Sequence, residues 1–173
     1  MAVYKFDSFI PEVGKDCYIA DSAEVIGNVK IGDGCYIGPN AVIRGDYGRI
    51  VIGDETAVEE SVIIHARPNE ITTIGKRVTL GHGAIIHNCT IEDSAVIGMG
   101  AIVSDYALVK EWGVVAEGAV VKNKSVVESG TIFAGVPAKE VGKINDEYKS
   151  RWNHFKDIYC ELAKTYTRRI VRF

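Results

Sequence analysis

The sequence predicts an all-β fold, a parallel β-helix followed by one C-terminal α-helix. An aliphatic side chain recurs at every sixth residue from Ile19 to Phe133, and a small residue such as Ala84 follows most of them by four positions. A period of six residues fits neither an α-helix nor a series of hairpins, but it is typical of hexapeptide β-helices. Each hexad therefore forms a short strand and a corner, and three hexads form one triangular coil.

The aliphatic residues are expected to stack in columns that fill the interior. Glycine often follows them, as at Gly53 and Gly98, and we attribute these glycines to a corner backbone that a Cβ atom would hinder. The predicted interior positions are Ile19, Val25, Ile31, Ile37, Ile43, Ile52, Val58, Ile64, Ile74, Leu80, Ile86, Ile91, Ile97, Val103, Val109, Val115, Val121, Val127 and Phe133.

The repeat also assigns a place in the coil to each polar residue. Residues three hexads apart lie one above the other, at the strand spacing of about 4.8 Å. Arg44, His65 and His87 then form one vertical column on an outer corner, which we call the histidine column. The neighbouring column contains Glu60 and His82. Three of the four histidines in the chain thus fall in two adjacent columns.

Three irregularities in the repeat border the histidine column. Three extra residues lie within 43–52, four extra within 64–74, and one residue is missing within 86–91. Insertions in a solenoid form loops, often on its binding face. The breaks are therefore an independent indication of a functional site at this column.

Composition favours a globular protein that binds neither nucleic acid nor membrane. The chain has 173 residues, 47% of them hydrophobic, and a net charge of −3. It has no basic patch with interleaved aromatics, no apolar stretch long enough to span a bilayer and no signal-peptide core at its start. The cysteines form no CxxC motif, so we predict reduced thiols and a cytoplasmic protein. They are Cys17, Cys35, Cys89 and Cys160.

We predict two domains, a β-helix over residues 1–142 and a helix over 143–173 that packs on a solenoid, its own or a neighbour's. Asn145 is the predicted N-cap, with acidic residues in the first turn. His154 lies off the apolar stripe of this helix and is interpreted as a surface residue. The stripe follows the helical period and consists of Tyr148, Trp152, Phe155, Tyr159, Leu162 and Tyr166.

The histidines suggest a metal site shared between subunits. Stacked in one column, His65 and His87 can hold ring nitrogens about 3–4 Å apart, as two zinc bonds of about 2.0–2.1 Å require. His82 lies at the opposite end of a flat face, roughly 16 Å away in the same chain. It can complete the site only from a neighbouring subunit, as in a closed homotrimer. Alternatively, His65 and His87 are simply exposed polar residues, and His82 is a general base like that of an acetyltransferase.

The residues around these histidines resemble the γ-class carbonic anhydrase-like proteins, and within them the subgroup named after phenylacetate degradation and carnitine operons. The resemblance rests on Arg44-Gly45-Asp46, His65, Gly81-His82, the segment 86–91 and the segment 134–139. It implies a left-handed β-helix and a homotrimer. It also implies a metal bound by His65, His82 and His87 at each subunit interface, and an Arg44–Asp46 pairing that ties adjacent subunits together.

The chain departs from the family at two places. Glu59-Glu60 stand where the family typically has Gln-Asp, and the column places Glu60 one coil below His82. We predict both carboxylates as catalytic groups that orient a metal-bound water or accept its proton. The acidic loop that carries a proton shuttle in the founding enzymes is short here, and Glu70 is the remaining candidate.

The leading functional hypothesis is an enzyme of the carbonic anhydrase type, a lyase that hydrates CO2. Its cofactor would be Zn²⁺, with Fe²⁺ or Co²⁺ as alternatives, which lowers the pKa of water to about 7. Three other hypotheses remain open: metal-dependent hydrolysis of acyl-CoA thioesters, CoA-dependent acyl transfer with His82 as base, and a non-catalytic, metal-stabilised trimer. The fold does not separate them.

Overall fold

The computed structural model describes residues 2–171, except for the side chains of Ala2 and Thr167. It is a parallel β-solenoid of about seven turns with one C-terminal helix, which confirms the predicted fold class. Each turn passes through three faces, which we call faces 1, 2 and 3. Nearly all neighbouring strands pair in parallel between one turn and the next.

Faces 1 and 2 belong to one twelve-stranded sheet. Face 1 contains β1 (Ala2–Tyr4), β8 (Ile63–His65), β11 (Ile85–His87), β14 (Ile102–Val103) and β17 (Val120–Val121). Face 2 contains β2 (Glu12–Val13), β9 (Ile71–Ile74), β12 (Thr90–Ile91), β15 (Leu108–Val109) and β18 (Val126–Val127). Two long strands run round the corner between these faces, β4 (Glu24–Ile31) and β6 (Val42–Ile52).

Face 3 is a separate eight-stranded sheet on which the helix lies. Its last strand, β20 (Lys139–Lys143), pairs antiparallel with β19 (Thr131–Ala134) and so ends the parallel stack. The predicted domain boundary at 142/143 falls within β20. The other strands of face 3 are β3 (Tyr18–Ile19), β5 (Tyr36–Ile37), β7 (Ala57–Val58), β10 (Thr79–Leu80), β13 (Val96–Ile97) and β16 (Val114–Val115).

The predicted aliphatic positions form the core. From Val25 to Val127 each of these side chains is at most 2% exposed, and the strand register stacks them in one column per face. Burying one such side chain fully contributes about 1.5–3 kcal/mol, so the columns supply most of the driving force for coiling. Cys35 and Cys89 are buried among them, and all four cysteines are free thiols.

The glycines that follow the aliphatic residues serve a different purpose from the one expected. The residues with positive φ at the corners are others, such as Ser94 and Gly100. A Cβ atom on Gly53 would lie 2.6 Å from the carbonyl carbon of Gly75, and one on Gly98 would lie 2.5 Å from the backbone nitrogen of Glu117. These glycines therefore allow successive coils to approach at the strand spacing.

Alanine at Gly98 should destabilise the solenoid, because its methyl group would overlap the backbone of the next coil. We expect the free energy of unfolding to fall by about 1–3 kcal/mol, the usual cost of overpacking. Gly142→Ala is the matched control, since a Cβ at Gly142 meets no atom within 4 Å. Urea unfolding followed by far-UV circular dichroism measures both; equal stabilities would contradict the role assigned to Gly98.

The helix α1 (Asp146–Arg169) begins at the predicted N-cap, where the side chain of Asn145 accepts a hydrogen bond of 2.8 Å from the backbone of Tyr148. It packs on face 3 of its own chain through aromatic contacts such as Tyr36–Tyr159, with ring centroids 5.2 Å apart. The last two residues of the predicted helical domain lie outside the described part of the chain. No helix in residues 2–171 is long and apolar enough to cross a bilayer.

The prediction that Phe155 belongs to the buried stripe of α1 is wrong. Phe155 is 42% exposed, whereas Lys156 beside it is 2% exposed and faces the solenoid. The row that starts at Tyr148 and Trp152 continues four residues later at Lys156, so position 155 is rotated away by about 100°. His154 is exposed, as expected of a surface residue.

Candidate metal centre

The strand register places Arg44, His65 and His87 one above the other. Arg44 of β6 pairs with His65 of β8, and His65 pairs with His87 of β11. All three stand where face 1 ends and the chain turns towards face 2. Their stacking follows from the buried aliphatic residue that precedes each of them, because a one-residue slip would turn that residue out of the core.

The two histidine rings direct one nitrogen towards each other and the other towards a carboxylate. Nδ1 of His65 lies 3.2 Å from Nε2 of His87. Nε2 of His65 lies 2.9 Å from Oδ1 of Asp46, and Nδ1 of His87 lies 2.5 Å from Oδ1 of Asp105. Each ring is therefore held from outside by an aspartate.

Both aspartates are held as anions. Burial alone would raise the pKa of Asp46, but hydrogen bonds from His65 and Arg44 outweigh it and leave that pKa below its ordinary value. The hydrogen bond from Arg67 lowers the pKa of Asp105 against the opposing effect of burial, and His87 lowers it further. An anionic carboxylate only accepts hydrogen bonds, so the ring nitrogen that faces it carries a proton.

In neutral rings the inner nitrogens then direct two lone pairs towards each other. This arrangement is repulsive unless a proton or a metal cation lies between the nitrogens. Two bonds of about 2.0–2.1 Å at a tetrahedral angle would hold two nitrogens about 3.4 Å apart, close to the separation in the structure. A carboxylate on the far side of a ligating imidazole is also the usual support of a metal-bound histidine. The donor set therefore fits a transition-metal ion.

A single chain does not complete this centre. Within residues 2–171 no three His, Cys, Asp or Glu side chains converge on one point in metal-binding geometry. His65 and His87 supply two donors, and His82 lies at the other end of β11, on the corner between faces 3 and 1.

Asp105 and Arg67 are site residues that the sequence reasoning missed. Arg67 donates from Nε and Nη2 to Oδ2 of Asp105 at 2.9 and 2.5 Å, and Asp105 is 6% exposed. The signal was present in the repeat. Val103 lies one coil above Ile86, so the place above His87 is position 104, and Asp105 is the residue that follows it.

Arg44 and Asp46 contact each other within one chain. Nη1 of Arg44 donates to Oδ2 of Asp46, whose other oxygen faces His65. The chain thus has two similar arrangements, in each of which an arginine donates to an aspartate that accepts from a histidine ring. A role of Arg44 and Asp46 at a subunit boundary stays a prediction.

His82 occupies the predicted second column. Its carbonyl oxygen accepts from Gly100, and the carbonyl oxygen of Glu60 accepts from Gly83, each across one coil. Oε2 of Glu60 lies 2.5 Å from Nδ1 of His82, and Oε2 of Glu59 lies 3.1 Å from Nε2. Both predicted catalytic carboxylates therefore contact the ring of His82, and their catalytic role stays a prediction.

Tyrosines fix these two carboxylates. The hydroxyl group of Tyr36 donates to Oε1 of Glu60 at 2.9 Å. Glu59 is buried, and burial raises its pKa, although a hydrogen bond from Tyr159 and the neighbouring His82 oppose the rise. Tyr159 belongs to α1, so the helix takes part in the arrangement around His82. The sequence pattern showed Tyr159 only as part of an apolar stripe.

Glu70, the candidate proton shuttle, lies in the loop after His65 and is already engaged. It accepts from Nδ2 of Asn88 at 2.7 Å and from the hydroxyl group of Tyr106 at 2.8 Å. Hydrogen bonds from Asn88 and Tyr106 lower its pKa. These contacts hold Glu70 beside Asn88, the residue that follows His87.

The solenoid and its six-residue repeat define a hexapeptide-repeat protein. The profile of the bacterial transferase hexapeptide (six repeats) matches residues 11–45. A hexapeptide transferase family protein from Anaplasma phagocytophilum is 33% identical, with a TM-score of 0.91 over 95% of this chain and 98% of that one. A putative acetyltransferase from Bacillus cereus is 30% identical, with a TM-score of 0.92 over 95% and 96%.

Two further relatives identify the family within this class. Gamma carbonic anhydrase 2, mitochondrial, of Arabidopsis thaliana is 41% identical over 143 residues, which are 79% of this chain. The chain spans about half of that protein, 51% of its length. The carnitine operon protein CaiE of Escherichia fergusonii is 36% identical over 154 residues, 89% of this chain and 78% of CaiE. The chain belongs to the γ-class carbonic anhydrase-like family of hexapeptide-repeat proteins.

Proposed function

We propose that the protein is a metal-dependent enzyme that hydrates CO2 at the subunit interfaces of a homotrimer. The observation that supports this most is the pair of inner nitrogens on His65 and His87, 3.2 Å apart, with both outer nitrogens held by aspartates. The similarity to gamma carbonic anhydrase 2 supports the choice of reaction. The relatives include bacterial and mitochondrial proteins, so a cytoplasmic location stays a prediction.

His65 and His87 would hold the ion through Nδ1 and Nε2, with His82 of the next subunit as the third donor. We propose Zn²⁺, with Fe²⁺ or Co²⁺ as alternatives. When bound, such an ion supplies a hydroxide nucleophile near neutral pH by lowering the pKa of a water molecule. Asp46 and Asp105 keep the two rings in the tautomer that presents a lone pair to the ion.

The surface between the histidine corners supports a trimer. Five outward side chains stack in register along face 1, and two of them, Ile63 and Ile85, are 45% and 37% exposed. A contiguous aliphatic surface in water is typical of an interface. Covering it with a second copy would bring His82 of one chain towards the histidine column of the next. The stacked residues are Val42, Ile63, Ile85, Ile102 and Val120.

His82 is exposed enough to bind an ion held by the histidine column of a neighbouring subunit. Its side chain is 49% exposed, although Glu59 and Glu60 lie against its two ring nitrogens. Binding a neighbour's ion requires one nitrogen to leave its carboxylate, while the other carboxylate still orients the ring. Glu59 or Glu60 would then lie beside the reacting water, where it can accept a proton.

Mixing two defective chains tests the shared site. A His82→Ala chain retains His65 and His87, and a His87→Ala chain retains His82. Homotrimers of either variant should bind no metal tightly, whereas mixed trimers refolded from equal amounts should regain about one quarter of the wild-type sites, from the statistics of a cyclic trimer. Metal analysis after gel filtration measures this. If mixing restores no site, the two corners do not meet; if either variant alone binds normally, the ligand set is wrong.

The reaction itself is tested by stopped-flow CO2 hydration with protein loaded with zinc, or with iron under anaerobic conditions. Activity that depends on the metal and disappears in His87→Ala supports the proposal. A trimer that carries a full complement of metal but does not accelerate hydration would instead indicate a non-catalytic assembly, or a different substrate such as an acyl-CoA thioester.

Acyl transfer is the second candidate, because the ring of His82 contacts carboxylates in the way that an oriented general base does. The Bacillus cereus structure, described as a putative acetyltransferase, has the same fold. In this case metal-free protein would consume acetyl-CoA in the presence of an amine or alcohol acceptor. Loss of that consumption in His82→Ala, with no effect of chelators, would favour transfer over hydration.

A further inference from the structure

A cleft of about 370 Å³ lies between α1 and the corner that carries His82. Its floor is an outward column on face 3, Thr79, Val96, Val114 and Ile132, stacked in register. One wall is formed by Tyr148 and Trp152 of α1, and the other by His82, Met99 and Glu117. The volume lies in the range of small-molecule pockets and is far larger than CO2 needs.

The floor and the helix wall belong to face 3 and α1 of a single chain. The proposed subunit contact uses face 1, so the cleft lies beside that contact and meets it only at the corner of His82. The corner residues rise one coil at a time, since the carbonyl oxygens of His82 and Met99 accept from Gly100 and Gly118. Glu117 therefore lies two coils from His82, roughly 10 Å at the usual strand spacing.

Among the described residues, the carboxylates that line the cleft are not accompanied by a lysine or arginine side chain. These carboxylates are Glu59 and Glu117. Glu59 is buried against the backbone nitrogen of His82, which donates to it at 3.1 Å. Glu117, by contrast, is exposed and forms no ion pair with any residue in 2–171. Its carboxylate is thus available to a ligand at the outer end of the cleft.

We propose that this cleft binds a small organic cation with an apolar body. The cationic head would lie at Glu117, near the ring of Tyr148, because a carboxylate and an aromatic face both attract a cation. The apolar body would lie on Val114 and Val96 and point towards His82. A carboxylate or phosphate ligand would meet like charge at Glu117 and Glu59, because the amine of Lys156 lies behind Thr79 and does not line the cleft.

The experiment compares three ligands that differ only in their head group: hexyltrimethylammonium, 1-hexanol and hexanoate. The quaternary ammonium has no lone pair, so it cannot bind a metal ion and its result does not depend on the proposed metal centre. Methyl NMR spectra of the full-length chain are recorded, with the methyl groups of Met99, Val114 and Ile132 as reporters. We expect the cation to bind about three- to tenfold more tightly than the alcohol, and the carboxylate to bind most weakly.

Two variants complete the test. Glu117→Gln should remove most of the preference for the cation and leave binding of 1-hexanol unchanged. Glu111→Gln removes the same charge from an exposed corner residue outside the cleft and should change nothing. Equal binding of hexanoate and hexyltrimethylammonium, shifts confined to methyl groups outside the cleft, or an unchanged preference in Glu117→Gln would each overturn the proposal. The absence of binding by all three ligands would overturn it as well.

Discussion

Asp105→Ala is expected to weaken zinc binding by about 10- to 100-fold, the usual effect of removing the carboxylate behind a ligating histidine. The variant removes the acceptor that lies 2.5 Å from Nδ1 of His87. His87 can then place its proton on either nitrogen and rotate, so the lone pair that faces His65 is no longer fixed. Asp105→Asn keeps a hydrogen-bond acceptor but loses the charge, so its zinc affinity should lie between those of Asp105→Ala and wild type.

The measurement is a competition titration with a chelating dye, supported by ¹⁵N NMR of the histidine rings in metal-free protein. The NMR reads the tautomer of His87 directly, so it distinguishes loss of positioning from general damage. Asp157→Ala is the matched control, because Asp157 also pairs with an arginine, Arg77, at 2.8 Å and contacts no histidine. An unchanged zinc affinity together with an unchanged tautomer in Asp105→Ala would remove Asp105 from the site.

The fold could be predicted from the sequence because its cause is local and repeated. Every turn must bury one aliphatic side chain per face, and the three breaks in the period move the chain to the next face without changing the register of Ile43, Ile64 and Ile86. The same register predicted the stacking of His65 on His87. A periodic pattern, however, gives the height of a residue in the solenoid and not the direction of its side chain.

For that reason the supports around the histidines were missed. Asp105 reaches back one coil to His87, and Arg67 reaches across a loop whose path the period does not specify. Tyr159 and Lys156 belong to α1, whose rotation on face 3 is set by aromatic packing against Tyr36 and not by the repeat. Contacts between the periodic solenoid and a non-periodic helix or loop depend on tertiary packing. The six-residue pattern in the sequence carries no information about that packing.

Lys156 places a buried amine in that packing. Its ammonium group lies 3.1 Å from Oγ1 of Thr79 and 3.4 Å from the carbonyl oxygen of Ala95, and no carboxylate among residues 2–171 forms an ion pair with it. Two indole rings lie within 6 Å of Nζ and offset part of the lost hydration. The pKa of Lys156 is lowered to about 7, chiefly by burial and further by Arg77, while Cys160 and Glu59 oppose the shift.

This shift makes the stability of the protein depend on pH in a defined window. Between about pH 7 and pH 10.5 the unfolded chain holds a proton on Lys156 that the folded chain lacks, so the free energy of unfolding rises with pH. Below about pH 7 both states are protonated, and the destabilisation has its full size. A pKa difference of this size corresponds to roughly 3–5 kcal/mol, which is a large part of the stability of a domain.

Lys156→Met should therefore stabilise the protein, because methionine fills a similar volume without a charge. We expect a gain of about 2–4 kcal/mol at pH 6, after subtracting about 1 kcal/mol for the lost hydrogen bond to Thr79, and almost none near pH 10. Urea unfolding of wild type and variant is compared across this range at fixed protein and metal concentration. Lys122→Met, which replaces an exposed lysine of the solenoid, is the control and should show no pH-dependent gain. A difference between Lys156→Met and wild type that stays constant from pH 6 to pH 10 would show that the buried amine does not lose its proton on folding.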